Sequence, residues 1–289
     1  MPMKALILFA ALLTVAQALP EGSKALKDLP YVTGGHARQK LDLYLPAEPK
    51  GPLLVYIHGG AWWGGSKEGV FHLDLLDQGY AIASVEYRFS QDAVFPAQIQ
   101  DCKAAVRWLR AHASDYGYDP ERIAVCGDSA GGHLTALMAT TGDTGEFDVG
   151  ENLDQSSAIA CGIDYYGPTD FVTWQPASED PMIQRGGKGS CLEQLFGGPT
   201  DEKLDLAKRA SPVTWVTKED APLLILHGTG DPLVKVRQSE LLVEDYKKAG
   251  IEVELDVIDG AGHGGPQFSD EKRRTEIHKF LDRHLAKPN

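Results

Sequence analysis

Residues 123–134 read Ile-Ala-Val-Cys-Gly-Asp-Ser-Ala-Gly-Gly-His-Leu, and this stretch decides the fold that we predict. Its apolar start is typical of a buried strand, and good helix formers follow the glycines. Gly127 and Gly131 lack the Cβ atoms that would collide where a strand turns sharply into a helix. The pattern predicts a nucleophile elbow that exposes Ser129 at the end of a strand. The alternative is a tight turn without chemistry.

Strand and helix patterns alternate on both sides of this stretch. We predict further strands at residues 38–45, 53–57, 80–85, 158–165, 222–226 and 252–258. The first alternates apolar and polar residues, as an antiparallel strand near a sheet edge does, whereas 53–57 is continuously apolar. Helices are predicted from Pro96, over about 235–248 and near the C-terminus. This alternation predicts an α/β fold with a mostly parallel sheet covered by helices on both faces.

The composition is that of an ordinary globular protein. The chain has 289 residues, of which 43% are hydrophobic and 24% charged, and we see no repeat or linker, so a single domain is predicted. Asp and Glu number 41 against 28 Lys and Arg, which gives a formal charge of −13. This charge argues against binding nucleic acid or anionic membranes through bulk electrostatics.

The N-terminus has the pattern of an export signal. Met1-Pro2-Met3-Lys4 precedes an apolar run at 5–16, which is too short to span a bilayer. Ala16-Gln17-Ala18 is a small-x-small cleavage pattern, so we predict cleavage after Ala18. The mature domain, residues 19–289, would then be periplasmic or secreted, without stable membrane insertion. A buried N-terminal helix and a retained anchor are the alternatives.

Four cysteines bear on the oxidation state and on metal binding. Cys102 and Cys126 fall on predicted core positions, whereas Cys161 and Cys191 are a plausible disulfide in an exported chain. No Cys-x-x-Cys or His-Glu-x-x-His pattern occurs, and Gly-x-Gly-x-x-Gly does not follow the first strand. We therefore predict neither a metal nor an organic cofactor.

Two further predicted strand ends supply the groups that a serine nucleophile needs. Asp231 stands five residues beyond the strand that ends at Leu226, and His263 stands five beyond Ile258. Because ligands bind outside the carboxyl ends of parallel strands, both should converge on Ser129. A serine hydroxyl needs an imidazole to take its proton, and the imidazole needs a carboxylate. We predict Ser129 as nucleophile, His263 as base and Asp231 as acid, and expect His227 to pack or hydrogen-bond locally.

Backbone N–H groups for an oxyanion are predicted in the turn after residues 53–57. The turn reads His58-Gly59-Gly60-Ala61-Trp62, and its small residues let the backbone approach a substrate. We predict Gly60, Ala61 and Ala130 as the N–H donors and expect His58 to brace the loop. The alternative is a plain glycine turn.

Residues 169–211 show no clean period and are predicted to form a lid-like insertion or a pocket wall. Aromatic residues here and beside the glycine turn are candidates for binding the substrate. The principal candidates are Trp62, Trp63, Phe95 and Trp174, with Met182 and Phe196 as further ones. Packing in the core is the alternative role for all of them.

Taken together, the motifs resemble those of α/β-hydrolases, and within them bacterial esterases similar to the hormone-sensitive lipase group and the feruloyl-esterase-like branch. The resemblance covers roughly residues 41–285. It is carried by His58-Gly59-Gly60-Ala61-Trp62, Tyr87-Arg88, Phe95-Pro96-Ala97 with Asp101, Arg107-Trp108-Leu109, Gly127-Asp128-Ser129-Ala130-Gly131-Gly132, Tyr166-Gly167-Pro168-Thr169-Asp170, Ser211-Pro212, His227-Gly228-Thr229-Gly230-Asp231 and Gly262-His263. Ala61 replaces the third glycine of the lipase-like form, and His-Gly-Gly-x-Trp also occurs in kynurenine formamidases.

The resemblance implies a serine carboxylesterase that works through an acyl-enzyme. Its expected substrate is a small-molecule or carbohydrate ester with a short acyl, acetyl or hydroxycinnamoyl group, including esters of polysaccharides. An arylformamidase is the second enzyme hypothesis, against which the export signal speaks. A non-catalytic binding protein on the same scaffold is the third, and it would require a missing triad residue, whereas all three are present.

Overall fold

The computed structural model describes residues 19–142, 144–185 and 187–287. Within these residues the strands form one eight-stranded sheet. The predicted export signal, residues 1–18, lies outside them. Across the sheet the strands follow the order β1-β2-β4-β3-β5-β6-β7-β8. In chain order they are β1 Lys24–Pro30, β2 Lys40–Leu45, β3 Leu53–Ile57, β4 Ala81–Val85, β5 Ile123–Asp128, β6 Cys161–Tyr165, β7 Leu223–Gly228 and β8 Val253–Ile258.

The sheet is parallel from β4 to β8, and only β1 and β2 run antiparallel to their neighbours. The predicted α/β class with a mostly parallel sheet is therefore confirmed. Every strand predicted from the sequence is present, and β3 has the predicted bounds. The antiparallel character expected of residues 38–45 is confirmed in β2, which pairs with β1 on one side and β4 on the other.

Helices and short 3-10 turns connect the strands. The 3-10 turns are Leu73–Gln78, Pro181–Ile183, Thr200–Glu202, Pro212–Thr214 and Pro266–Ser269. The helices are α1 Ala97–Ala111, α2 Ala113–Tyr116, α3 Ala130–Thr140, α4 Cys191–Phe196, α5 Leu204–Ala210, α6 Arg237–Ala249 and α7 Glu271–His284. As predicted, α1 begins directly after Pro96. Gly250 ends α6 with a φ of 77°, a left-handed conformation that glycine adopts without strain.

Both faces of the sheet are buried, as the apolar strand β3 shows. Leu53, Val55 and Ile57 pack in the core that includes α1, α3 and α6. Leu54 and Tyr56, which point the other way, pack in the core that includes α7. Because successive side chains of a strand point to opposite faces, a continuously apolar strand serves two cores at once.

The insertion at 169–211 is built into the first of these cores. Its aromatic side chains Trp174 and Phe196 are 5% and 2% exposed. The N–H of Phe95 donates to the carbonyl of Leu195 at 2.8 Å, and the Trp174 indole donates to the carbonyl of Ile183 at 3.0 Å. The segment is therefore a wall of the domain, held by its own rings and by hydrogen bonds.

The plausible disulfide between Cys161 and Cys191, which the sequence left open, is not formed in the structure. Both thiols are free and buried, as are Cys102 and Cys126. Cys161 lies in the core on the α7 face of the sheet, whereas Cys191 lies in the core on the opposite face. The sheet separates the two side chains, so no local movement can join them.

Candidate active site

The turn between β5 and α3 has the geometry of a nucleophile elbow. Ser129 has a φ of 53°, which is a strained conformation for a residue with a side chain. A Cβ atom on Gly127 would lie 2.5 Å from the carbonyl of Gly131, and one on Gly131 would lie 2.0 Å from the oxygen of Ile57. The Ser129 N–H donates to the carbonyl of Tyr165 at 2.8 Å, which fixes the turn against β6. Only glycine fits on both sides of this serine.

Three side chains that are remote in sequence meet at this turn. The Nε2 atom of His263 lies 2.8 Å from the Oγ of Ser129, and its Nδ1 lies 2.6 Å from Oδ2 of Asp231. Asp231 follows β7, and His263 follows β8, so neighbouring parallel strands deliver the acid and the imidazole to one edge. A carboxylate only accepts hydrogen bonds, so the His263 proton is on Nδ1 and Nε2 is left to accept from the serine hydroxyl.

The surroundings of Asp231 keep its carboxylate ionised. Burial alone would raise the pKa of Asp231, which is 8% exposed. Hydrogen bonds from His227, His263 and the backbone outweigh burial and hold this pKa well below its usual range. The backbone contribution comes from the N–H group of Val234, which donates to Oδ1 at 2.9 Å, and the N–H group of Leu233 donates to the same oxygen at 2.8 Å.

The predicted oxyanion turn lies against the elbow and is tied to it by Asp128. Oδ1 of Asp128 accepts the N–H of Gly59 at 3.0 Å and the hydroxyl of Tyr56 at 2.7 Å. Gly60 and Ala61 have φ values of 113° and 51°. Among the described residues, neither of their N–H groups donates to another part of the backbone. Ala61 is therefore in a left-handed conformation that costs energy for a residue with a side chain, and Asp128 joins the turn to the elbow directly before Ser129.

The family model BD-FAE matches residues 41–246 of this chain. The chain belongs to the BD-FAE family. The resemblance to α/β-hydrolase esterases is thereby confirmed.

Relatives and solved structures agree with this membership. The BD-FAE chain is 34% identical over 201 residues to a probable carboxylic ester hydrolase, LipM, of Mycobacterium tuberculosis, covering 68% of this chain and 45% of that protein. It spans about half the length of such curated relatives. A solved carbohydrate esterase from gut microbiota superposes with a TM-score of 0.82 at 28% identity, covering 91% of this chain and 97% of the other. A bifunctional GH43-CE protein of Bacteroides eggerthii gives 0.82 at 32% identity, covering 91% of this chain and 38% of the other.

Most of the aromatic residues predicted to bind substrate are packed in the core of this BD-FAE chain instead. Trp62, Phe95 and Trp174 are only 3%, 1% and 5% exposed, which agrees with the core-packing alternative that the sequence left open. Phe95 packs edge-on against Phe147. Trp63 is partly buried against the core and keeps an exposed portion.

Trp62 has a structural contact that explains its burial. Its indole N–H donates to Nδ1 of His133 at 3.1 Å, and Nε2 of His133 donates to the carbonyl of Ala210 at 2.7 Å. Burial lowers the pKa of His133 to about 4, which keeps the ring neutral and Nδ1 able to accept. These bonds link the turn at residues 58–62, helix α3 and the end of α5.

Two residues without a predicted catalytic role lie against His263 and Asp231. The ring of Tyr166 lies 4.6 Å, centroid to centroid, from the imidazole of His263. His227, which was expected to bond locally, does so and also lies 3.4 Å from Oδ2 of Asp231. The sequence signal for both is position, because Tyr166 directly follows β6 and His227 belongs to β7.

No group of three or more metal-binding side chains is clustered anywhere in the described part of this BD-FAE chain. Among the same residues, none of the helices has the length and apolar character needed to cross a membrane.

Proposed function

We propose that this chain is a serine carboxylesterase with Ser129, His263 and Asp231 as its catalytic triad. The observation that carries the proposal is the continuous hydrogen-bond line from the Ser129 hydroxyl through His263 to Asp231. It lies beside a turn in which the N–H groups of Gly60 and Ala61 have no backbone acceptor among the described residues, and the matched relatives of the chain include proteins named as ester hydrolases. Geometry of this kind supports acyl transfer without a metal.

The proposed reaction follows from these contacts. His263 removes the proton of Ser129 as its Oγ attacks the ester carbonyl carbon, and Asp231 stabilises the imidazolium that forms. The carbonyl oxygen becomes an oxyanion held by the N–H groups of Gly60, Ala61 and Ala130. The imidazolium then protonates the departing alcohol, which leaves an acyl-enzyme on Ser129. Water activated by His263 hydrolyses the acyl-enzyme and regenerates the serine.

We further propose short acyl esters, acetyl above all, of plant-type carbohydrates as the substrate class. Support comes from the matched carbohydrate esterase and the bifunctional GH43-CE protein. Hydroxycinnamoyl esters remain within the proposal, and Trp63 is the partly exposed ring among the four principal aromatic candidates. We also propose that the protein is exported, because the N-terminus has the pattern of an export signal. Mass spectrometry of the exported protein should find Leu19 as its first residue, and an intact Met1 would contradict the proposal.

The experiment compares purified protein with Ser129→Ala and Ser66→Ala. Ser66 is an exposed serine that follows the oxyanion turn and serves as the matched control. We expect hydrolysis of p-nitrophenyl acetate and acetylated xylo-oligosaccharides, a loss of about 10⁶-fold in kcat for Ser129→Ala, and no change for Ser66→Ala. Circular dichroism checks that both variants fold. Unchanged activity of folded Ser129→Ala would refute the proposal, and faster cleavage of N-formylkynurenine than of aryl acetates would favour an arylformamidase.

A further inference from the structure

His227 is a fully buried histidine behind the triad, and the proposed reaction does not use it. It lies in β7, four residues before Asp231, and has no exposed surface. Its Nδ1 is 2.7 Å from Oγ of Ser239, and its Nε2 is 2.9 Å from the carbonyl oxygen of Val234. The same Nε2 is 3.4 Å from Oδ2 of Asp231. Both ring nitrogens are therefore engaged, and one of them faces the catalytic carboxylate.

The hydrogen-bond partners determine where the proton of the neutral ring lies. A carbonyl oxygen can only accept, so Nε2 carries the hydrogen that points at Val234. Nδ1 is then the acceptor for the hydroxyl of Ser239, a buried residue of helix α6. The Nε2–H group thus donates to the carbonyl of Val234, and Oδ2 of Asp231 lies 3.4 Å from the same nitrogen.

His227 and Asp231 are both hydrogen-bonded to the backbone of the same turn, which includes Leu233 and Val234. The N–H groups of Leu233 and Val234 donate to Oδ1 of Asp231, and His227 holds the carbonyl of Val234. Oδ2 faces the Nδ1–H of His263 at 2.6 Å and the Nε2–H of His227 at 3.4 Å. Each carboxylate oxygen is thus fixed from its own side, which determines the direction in which Oδ2 points.

We propose that His227 is a positioning residue that orients Asp231 toward His263 by bonding Val234 and by presenting its N–H to Oδ2. Its kinetic consequence rests on the proposed esterase function. Removal of this N–H frees the Val234 carbonyl and leaves Oδ2 with one partner, so the Asp231–His263 bond loses its alignment. The role differs from ordinary packing because its effect on turnover must pass through Asp231.

The kinetic test is a double-mutant cycle between His227 and Asp231. His227→Phe keeps a buried ring without donors, whereas His227→Gln supplies an amide that can donate to Val234. We expect His227→Phe to lower kcat about tenfold with little change in KM, because loss of a hydrogen-bond partner that orients a functional side chain typically costs about that much. We expect His227→Gln to retain most of the wild-type kcat. In an Asp231→Asn background the same change should cost less than about twofold.

Tyr246→Phe is the matched control because it also removes a buried bond to a carbonyl, that of Ala221 at 3.2 Å, just before β7 begins. We expect it to leave kcat unchanged. An equal loss for His227→Phe in both backgrounds would show a merely structural role and overturn the proposal, as would no loss at all. If His227→Phe does not fold, Ser239→Ala tests the same hydrogen-bond chain, because Ser239 holds the other nitrogen of His227. We expect it to lower kcat by a smaller factor, and an unchanged kcat would overturn the proposal.

A readout independent of turnover separates this inference from the proposed function. Proton NMR of protein with ¹⁵N-labelled histidine follows the Nδ1 proton of His263, which bonds Asp231. We expect its resonance to move in His227→Phe and to stay in place in Tyr246→Phe. An unmoved resonance overturns the positioning role. A wild-type protein that cleaves no ester defeats the esterase proposal, while the NMR comparison still decides the role of His227.

Discussion

At the scale of single residues, Asp164 of β6 is the most unusual carboxyl group. It is completely buried, and within the described residues its Oδ2 has no hydrogen-bond partner. Oδ1 accepts the N–H of Gly167 at 2.8 Å. Burial raises the pKa of Asp164 to about 6, although the hydrogen bond from Gly167 opposes the rise. The protonated form is therefore the better accommodated one in the folded protein.

Replacement of Asp164 by Asn should make stability less dependent on pH. The folded pKa of about 6 exceeds the value of about 3.9 in an unfolded chain, so the stabilisation is complete below about 4 and is lost as the pH rises through 6. Relative to Asp164→Asn, the wild type should lose up to about 3 kcal/mol of unfolding free energy over that interval. Urea unfolding at pH 4 and pH 7.5 measures the difference.

Exposed Asp77 offers the matched control for this comparison. Asp77→Asn makes the same chemical change where water solvates the carboxylate, so its effect should be small at both values of pH. A difference between wild type and Asp164→Asn that is the same at pH 4 and pH 7.5 would contradict the predicted shift.

At the scale of elements, the junction of β3, β5 and α3 tolerates no side chain on Gly131. An alanine Cβ there would lie 2.0 Å from the oxygen of Ile57 and 2.9 Å from the oxygen of His58. Gly131→Ala should therefore destabilise the protein by about 3 kcal/mol or more, although alanine is the better helix former. Gly69→Ala, where no atom lies within 4 Å, should change stability by less than about 1 kcal/mol. Thermal unfolding of the two variants checks the contrast, and equal melting temperatures would contradict it.

The same steric rule explains which elements the sequence predicts well. Glycine is required at 127 and 131 because a Cβ atom there would collide with the neighbouring backbone. A strand such as β3 is apolar throughout because both of its faces are buried. The positions of these elements therefore follow from residue types alone. By contrast, β1 was missed because Lys24–Pro30 has mostly exposed side chains and depends on β2 for its hydrogen bonds. An ion pair between Lys27 and Asp42 at 2.7 Å supports that pairing, and no local pattern reveals it.

Side-chain direction was harder to predict than backbone position. The sequence predicts that Trp62 lies in a turn near Ser129 but does not show that its ring turns inward. The partner that turns it is His133, 71 residues away in the chain. Trp174 and Phe196 are likewise aromatic residues in a segment without a period, and their core contacts exist only after the insertion folds onto α1 and α3. Spacing along the chain identifies loops near a site but not the faces of their rings.

At the scale of the whole molecule, the sheet divides the interior into two cores, and this division determines what the cysteines can do. A Cys161–Cys191 disulfide was plausible from the number of cysteines and the expected compartment, and neither of these takes the topology into account. Cys161 lies in β6 and packs toward α7, whereas Cys191 begins α4 on the opposite face. Pairing depends on geometry across the sheet, which composition cannot supply.

All four thiols should therefore be free, and they should react only after unfolding. Burial raises the pKa of Cys161 and Cys191 to about 12 and those of Cys102 and Cys126 well above the usual value, so little thiolate is present at neutral pH. Thiol titration should find no fast-reacting group in native protein and four in guanidinium chloride. The melting temperature should not change when a reductant is added. Cys191→Ala should leave three thiols, all of which react only after unfolding. A Cys161–Cys191 disulfide would instead give two thiols in the unfolded wild type, and Cys191→Ala would then add the free thiol of Cys161.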